Sequence, residues 1–453
     1  MASTQSSVAE NRTSETYAEA SCSDTPHADE KRQEPNFNNT NVSDAAPEFP
    51  EGGRQAWLVV AGAWVSFFVS YGFISSAGVY QDYYQSTLLR DYSPSDISWI
   101  SSIQLFALSA SAPFVGRVFD GHGPNVLVAV GTFLHIFGQM MQSLSTKYYQ
   151  LILSQAVCSG IGMGMVFHSS TASVATWFRL RRGLALGLAS SGSGLGGVIL
   201  PIMFENLVGQ IGFPWTVRAI AFMLLAMQAF AIFTVRSRLQ HSAKPFSFIA
   251  FLRPFKDLNF DLNVLGCFFG SLGMLLPFNF LKVSADAAGL PPSLTPYLLP
   301  ILNAVSIVGR ILPLWAGDFV GVFNMATVFV LYGAILVLAL WLPGAASSGA
   351  VIAFTVLYGI PLGFFGAAIP ALVARISDIR EIGVRIGMTF IMNGIAGLLG
   401  NPLSGLLIGV GHTTGASAYD GFKIFCGVAI VISAIFFALA RVRHGGWSIM
   451  KKV

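Results

Sequence analysis

Long apolar runs separated by short polar breaks follow one another along most of the chain. They fall at approximately Ala56–Tyr80, Ile97–Val115, Val126–Leu144, Tyr149–Thr171, Leu184–Val208 and Trp215–Val235. After a polar gap come Leu262–Leu281, Leu298–Leu314, Ala326–Leu342, Ala350–Val373, Ile386–Val410 and Phe422–Ala440. Each run is close to the length that carries a helix across a bilayer core of ~30 Å. The pattern therefore predicts an all-α membrane protein with twelve transmembrane helices. The one sizeable polar stretch between runs divides it into a six-helix half at 51–235, a central loop at 236–260 and a second six-helix half at 261–440. A short amphipathic segment is expected at Phe246–Leu252 within that loop. Residues 1–50 are rich in Ser, Thr, Asn, Asp and Glu and poor in large apolar side chains, so they are expected to be a disordered tail. A second tail follows at 441–453.

Composition agrees with this reading. The 453 residues are 53% hydrophobic and 11% charged, against about a quarter charged in soluble domains. The first fifty residues lack a basic segment followed by an apolar one, so the first run is expected to insert as an uncleaved signal anchor. The net charge of +4 is small, and its placement carries the information. Arg117, Arg179, Arg181, Arg182, Arg236, Arg238, Lys244, Arg253, Lys256, Arg375, Arg380 and Arg385 fall in alternate loops, and Arg441, Arg443, Lys451 and Lys452 in the last tail. Positive residues stay on the cytoplasmic side, which puts both termini there. The expected location is the plasma membrane, with the vacuolar or another internal membrane as the alternative. Cys22, Cys158, Cys267 and Cys426 have no metal-binding spacing and read as small hydrophobes. There is no phosphate-binding glycine loop with its lysine, no His–carboxylate cluster and no nucleophile–base set. The chain is thus not expected to be an enzyme, to use a cofactor or to bind nucleic acid. Its expected partners are the lipid bilayer and a small-molecule substrate.

The two halves echo each other. Gly116-Arg-Val-Phe-Asp120-Gly-His-Gly123 follows the second run and Leu314-Trp-Ala-Gly-Asp318-Phe-Val-Gly321 follows the eighth, pairing Asp120 with Asp318 and Gly123 with Gly321. Gly192, Gly196 and Pro201 pair in the same way with Asn393, Gly397 and Pro402. Parallel halves of this kind are one transporter plan. The segments at 116–123 and 314–321 are read as tight turns, for which glycine supplies the backbone freedom. An Asp at such a place can accept hydrogen bonds from a neighbouring helix N-terminus or an Arg, in a contact made in one conformation and released in another. Gly116, Arg117, Asp120, Gly123, Asp318 and Gly321 are therefore candidate gating residues.

Arg310 is the charge set deepest in an apolar run. A central Arg costs roughly 3 kcal/mol on insertion scales and normally faces a protein interior or a wet cavity. The alternative is that it reaches the nearer headgroups or pairs with Asp318. Asn303, seven residues earlier, shares its helical face and is a candidate cavity-lining residue. A histidine side chain in water titrates near neutral pH, so His168 is a candidate proton carrier, or else it is hydrogen-bonded to a neighbour.

The Gly116–Gly123 segment resembles the loop motif of the major facilitator superfamily, with Gly121 where that motif usually has Arg. Within the superfamily the chain is similar to the monocarboxylate porter family, its fungal branch in particular. Glu51-Gly52-Gly53-Arg-Gln-Ala-Trp57 is similar to that family's acidic-Gly-Gly motif before helix one. Trp177 to Gly192 is similar to its loop-four to helix-five motif, through Phe178, Arg181, Arg182, Leu184, Ala185, Gly187, Ala189 and Gly192. The resemblance covers about residues 51 to 440. It implies the major facilitator fold and alternating-access transport, secondary-active or facilitative. It also implies that Arg310 matches the helix-eight arginine that binds substrate carboxylate. The family's proton–lactate members carry an Asp at the position of Ser306 and a Lys at that of Ser75, so Ser306 and Ser75 fall in the substrate site without its charges. The expected cargo is a small organic anion or monocarboxylate-like metabolite, or a larger secondary metabolite. A nutrient sensor on the same scaffold is the alternative function.

Overall fold

The computed structural model describes residues 50–239, 249–378, 381–408 and 415–446. Residues 1–49 of the expected tail, Phe246–Phe248 of the expected amphipathic segment, Lys244, Arg380, Lys451 and Lys452 lie outside those residues, and Ile249–Leu252 form a short helix. Among the described residues, ten helical stretches are long and apolar enough to cross a membrane. One of them, Arg182–Thr234, holds two helices broken at Gly212, where φ is +72°. A further helix, Asn125–Gln142, completes the set of twelve.

In chain order these are α1 (Arg54–Leu88), α2 (Pro94–His122), α3 (Asn125–Gln142), α4 (Tyr148–Trp177), α5 (182–211) and α6 (213–234). The second six are α7 (Leu258–Ala287), α8 (Leu298–Val320), α9 (Val322–Gly344), α10 (Ser348–Arg375), α11 (Ile382–Leu407) and α12 (Asp420–Gly445). Several start and stop where local chemistry dictates. Ser93 Oγ accepts the Asp96 N–H at 3.1 Å while the Asp96 carboxylate accepts the Ser93 N–H at 3.3 Å, a reciprocal cap that starts α2. Asp257 caps α7 through the Asn259 N–H. Some of the polar side chains buried in the first half bond to one another, as apolar surroundings favour. Gln142 and Tyr84 hydrogen-bond to one another and both to Gln155, and His135 lies between Ser159 and Gln139.

The segments at 116–123 and 314–321 are not the tight turns expected from the sequence. Helix α2 continues to His122 and α8 to Val320, and only Gly123 (φ +79°) and Gly321 (φ +107°) take the left-handed backbone that ends them. Gly116 is helical, and its missing side chain serves packing instead. A Cβ there would run into the Gly383 carbonyl of α11.

The halves meet along two helix pairs, α2 with α11 and α5 with α8. Glycines on α5 and α11 set both contacts and put the repeat in register. A Cβ at Gly187 would lie 2.5 Å from the Arg310 carbonyl oxygen, and one at Gly387 2.6 Å from the Ala112 carbonyl oxygen. Gly194 faces Ile307 as Gly394 faces Ser109, and Gly197 faces Asn303 as Gly397 faces Leu105. The pairing of Gly192 with Asn393 read from the sequence is therefore one residue out of register. Asn393 corresponds to Ser193, and Gly192 instead lets α5 close on the Trp64 carbonyl of α1. Close backbone approach through small residues is how membrane helices associate where no hydrophobic driving force separates them from lipid.

Candidate functional site

At the end of the bundle that carries Arg117, Arg179, Arg181, Arg182, Arg375 and Arg385, two carboxylates bridge the halves. Asp318 at the end of α8 accepts the backbone N–H groups of Gly183 (2.8 Å) and Leu184 (2.9 Å) at the start of α5. Asp120 at the end of α2 accepts the N–H of Val384 (3.3 Å) at the start of α11 and lies against Gly383. Both thus meet helix N-termini, where unpaired N–H groups and the helix dipole favour a negative charge. Gly183 and Gly383 leave room for this, since a Cβ at either would fall within 2.7 Å of the carboxylate. Arg117, on the last turns of α2, is half-buried.

The two segments similar to family motifs, far apart in sequence, come together at the same end. The Glu51 carboxylate accepts the N–H groups of Arg179 and Leu180 at 2.7 Å and of Arg181 at 3.2 Å, fixing the turn between α4 and α5. Glu51 does so with φ +52°, a strained value for a residue with a side chain. Gly52 (φ +157°) and Gly53 (φ +88°) follow it into α1. Trp57 then packs on Phe178, ring centroids 5.2 Å apart. The Arg182 guanidinium donates to the carbonyls of Phe178, Ala175 and Ala374, tying α4 to the end of α10 in the other half. A charged acceptor on backbone donors is worth roughly 1 kcal/mol more than a neutral one, or about fivefold. Glu51→Gln is thus expected to lower transport about fivefold at unchanged surface expression. Unchanged flux in that variant would reduce the contact to a structural tie.

Arg310 lies about 12 Å along α8 from Asp318, at ~1.5 Å per residue. It neither reaches for headgroups nor pairs with Asp318. Its guanidinium points into the α5–α8 contact, where one nitrogen donates to the Ser190 carbonyl at 2.8 Å and to the Ser193 hydroxyl. Among the described residues no carboxylate is within ion-pair distance of it. Asn303, two turns away, donates its amide to the Gly197 carbonyl at 3.4 Å. Gly197 also packs on Ser75, so α1, α5 and α8 meet there. The hydroxyls of Ser306 and Ser75 each donate to a carbonyl one turn back, Asn303 at 2.7 Å and Tyr71 at 2.9 Å. Arg310 and Asn303 thus lie on the α5–α8 contact between the halves, Ser75 joins them through Gly197, and Ser306 backs onto Gly363 of α10. His168 on α4 lies away from that group, buried, with Nε2 3.2 Å from the Leu108 carbonyl of α2.

The partners of Arg310 were not singled out from the sequence. Ser190 and Ser193 carry no signal of their own in the sequence, and only the register of α5 on α8 gives them a role. An ion pair at the opposite end was also missed. Lys282 of α7 meets Asp82 of α1 at 3.3 Å, positions exposed to solvent and 200 residues apart. A cavity of about 410 Å³ between Trp57, Trp64, Leu188, Ser191 and Phe230 lies off the contact between the halves, and its walls are mostly apolar. It offers an organic anion no cation.

The sequence profile of the Major Facilitator Superfamily matches residues 57–349. A transporter of that superfamily from Ophiocordyceps sp. (strain BCC 1869) is 45% identical over 406 residues, 90% of this chain and 89% of its own. A fujikurins efflux protein from Gibberella fujikuroi is 36% identical over 396 residues, 87% of this chain and 84% of its own. Among solved structures, the E. coli fucose:proton symporter is similar in fold, with a TM-score of 0.67 at 13% identity, over 85% of this chain and 99% of that one.

Proposed function

This chain belongs to the Major Facilitator Superfamily and is a membrane transporter, and from that premise we propose that it exports an acidic, largely apolar metabolite. The observation that carries the proposal is Arg310, a cation within a membrane span held by a serine carbonyl and a serine hydroxyl, with no carboxylate in ion-pair range among the described residues. A half-buried guanidinium without a carboxylate partner is a strong site for a carboxylate, which it meets with two parallel bonds. Ser75 and Ser306 supply hydrogen bonds but no charge, which favours a cargo larger and less polar than lactate and weak or absent proton coupling. The relative from Gibberella fujikuroi, named for efflux, supports outward transport. Within the superfamily we place the chain in the monocarboxylate porter branch on the motifs around Glu51 and Phe178.

In this reading the end bearing Asp120 and Asp318 is cytoplasmic, as are both termini, because basic residues gather there. The membrane is the plasma membrane. The two aspartates close the cytoplasmic side, and their release opens the Arg310 site to the cell interior.

The test is efflux from cells expressing the chain, preloaded with lactate or with a panel of aromatic and larger organic acids, with and without a pH gradient. Expression is expected to raise efflux of at least one large acid about fivefold or more, with little dependence on the gradient. Robust proton-coupled lactate uptake, with no effect on the larger acids, would overturn the proposal and move coupling to another group, His168 first.

A further inference from the structure

The repeat makes the α2–α11 contact the counterpart of the α5–α8 contact that holds Arg310, and the two differ in chemistry. On one side Arg310 faces Ser190 and Ser193. On the other, the matching positions are Ala112 on α2 and Phe390 and Asn393 on α11. Ser193 has a guanidinium to bond. Asn393, at the matching depth, is 92% buried by the measure of its 8% exposure, and neither its amide oxygen nor its nitrogen has a hydrogen-bond partner among the described residues. An alanine stands where the second half has its arginine.

One helical turn from Asn393, the Phe390 ring packs on the His168 ring at 4.8 Å, and Phe167 closes on the same histidine at 4.9 Å. Tyr71 of α1 meets Phe167 at 4.7 Å. His168 Nε2 faces the Leu108 carbonyl, which can only accept, so Nε2 carries the hydrogen and Nδ1 of the neutral ring is an acceptor. Nδ1 is likewise buried and unpartnered among the described residues. Buried polar groups are nearly always hydrogen-bonded, and exceptions mark places where a ligand or another group completes the set. Two such exceptions, on α4 and α11, flank one aromatic contact.

We infer that Asn393 and His168 form a second recognition point in the transport site, which takes a hydrogen-bond donor beside an acceptor on the cargo, such as an amide or a hydroxy-carbonyl, with its apolar body against Phe167 and Phe390. The inference rests on the reading of Arg310 as the carboxylate site and adds the far end of the molecule. The cargo class becomes an acid that also carries a neutral donor–acceptor pair on an aromatic or apolar body. His168 then acts as a hydrogen-bond acceptor for cargo and not as a proton carrier.

Hippurate and 3-benzoylpropionate separate the two ends. Both have a carboxylate, a carbonyl and a phenyl ring, and they differ only in an amide N–H replaced by CH2. In proteoliposomes the unmodified protein is expected to transport hippurate about tenfold better, because a site built around a hydrogen bond rejects the analogue lacking it. Asn393→Leu is expected to level the two by lowering hippurate alone, and Asn393→Gln to restore part of the difference. Arg310→Ala is expected to remove both. Equal transport of the two probes by the unmodified protein, or no transport of hippurate, overturns the inference, as does an undiminished ratio in Asn393→Leu. If Arg310→Ala leaves 3-benzoylpropionate flux intact, the carboxylate reading itself falls, a result distinct from the others.

Discussion

Arg310→Ala is expected to abolish net transport of acidic cargo, with the protein still inserted and at normal abundance. The guanidinium makes its bonds across the contact between the halves, to Ser190 and Ser193 on α5. Losing a charge-assisted, bidentate interaction in such surroundings costs roughly 2–5 kcal/mol, which is about thirtyfold or more in affinity. Folding is expected to survive, because the matching position in the first half is Ala112 and the same backbone packing forms there around Gly387. Arg310→Lys keeps the charge but has one nitrogen in place of a planar fork, so it is expected to retain a few per cent of the flux at most. Initial rates in vesicles, normalised to protein in the membrane, measure both. Normal flux in Arg310→Ala would make the residue a helix-packing element.

The second large effect is expected at the aspartates. Asp318→Asn and Asp120→Asn keep the side-chain shape but remove the charge that two helix N-termini face. Each change is expected to destabilise the state closed at the basic end by about 1–3 kcal/mol, shifting the balance between states roughly five- to 150-fold. The Asp318 bonds, at 2.8 and 2.9 Å, are shorter than the 3.3 Å bond from Val384 to Asp120. Asp318→Asn is therefore expected to be the stronger lesion, and the double variant to be slower than either alone. The check is maximal transport rate together with labelling of a single cysteine placed at Ser193, approached from the basic side. Slower transport with faster labelling is the expected pair of results. Wild-type rates in both single variants would reduce the contacts to helix caps.

The fold was legible because a bilayer imposes one rule on every span, a long apolar run with its backbone bonds made internally. Twelve runs therefore became twelve helices among the described residues, although Gly212 alone separates two that the hydropathy pattern had already parted. What the pattern does not encode is where a helix stops once it leaves the hydrocarbon. Apolarity ends near Val115, but the backbone of α2 stays helical to His122 until Gly123 turns it, and α8 behaves alike. The repeat was visible through Asp120 and Asp318, whose spacing from Gly123 and Gly321 is unambiguous. Its register in α5 and α11 was not, because glycines occur there at several nearby positions and only their partners on α8 and α2 choose among them.

The candidate site divides in the same way. Arg310 announced itself because a charge in an apolar run is costly. Its direction could not be read, since a helical position fixes a face but not the neighbour that face meets. Ser190 and Ser193 take their role only from the α8 residue laid against them. Asn393 stood out only as the repeat partner of Gly192, and its importance comes from comparing the two half-contacts. Glu51 was recognised as a motif residue, while its task of holding three backbone N–H groups 128 to 130 residues away is tertiary.

The most direct test of the central claim is counterflow in proteoliposomes, using the organic acid that the efflux panel ranks first. Liposomes are preloaded with unlabelled acid and diluted into a trace of labelled acid without any pH gradient. With the unmodified protein, label is expected to accumulate transiently above equilibrium, because an alternating-access carrier exchanges one cargo molecule for another. No such overshoot is expected with Arg310→Ala, nor when the liposomes are preloaded with the neutral amide of the same acid. An absent overshoot with the unmodified protein, or one that persists without the arginine, would contradict the claim.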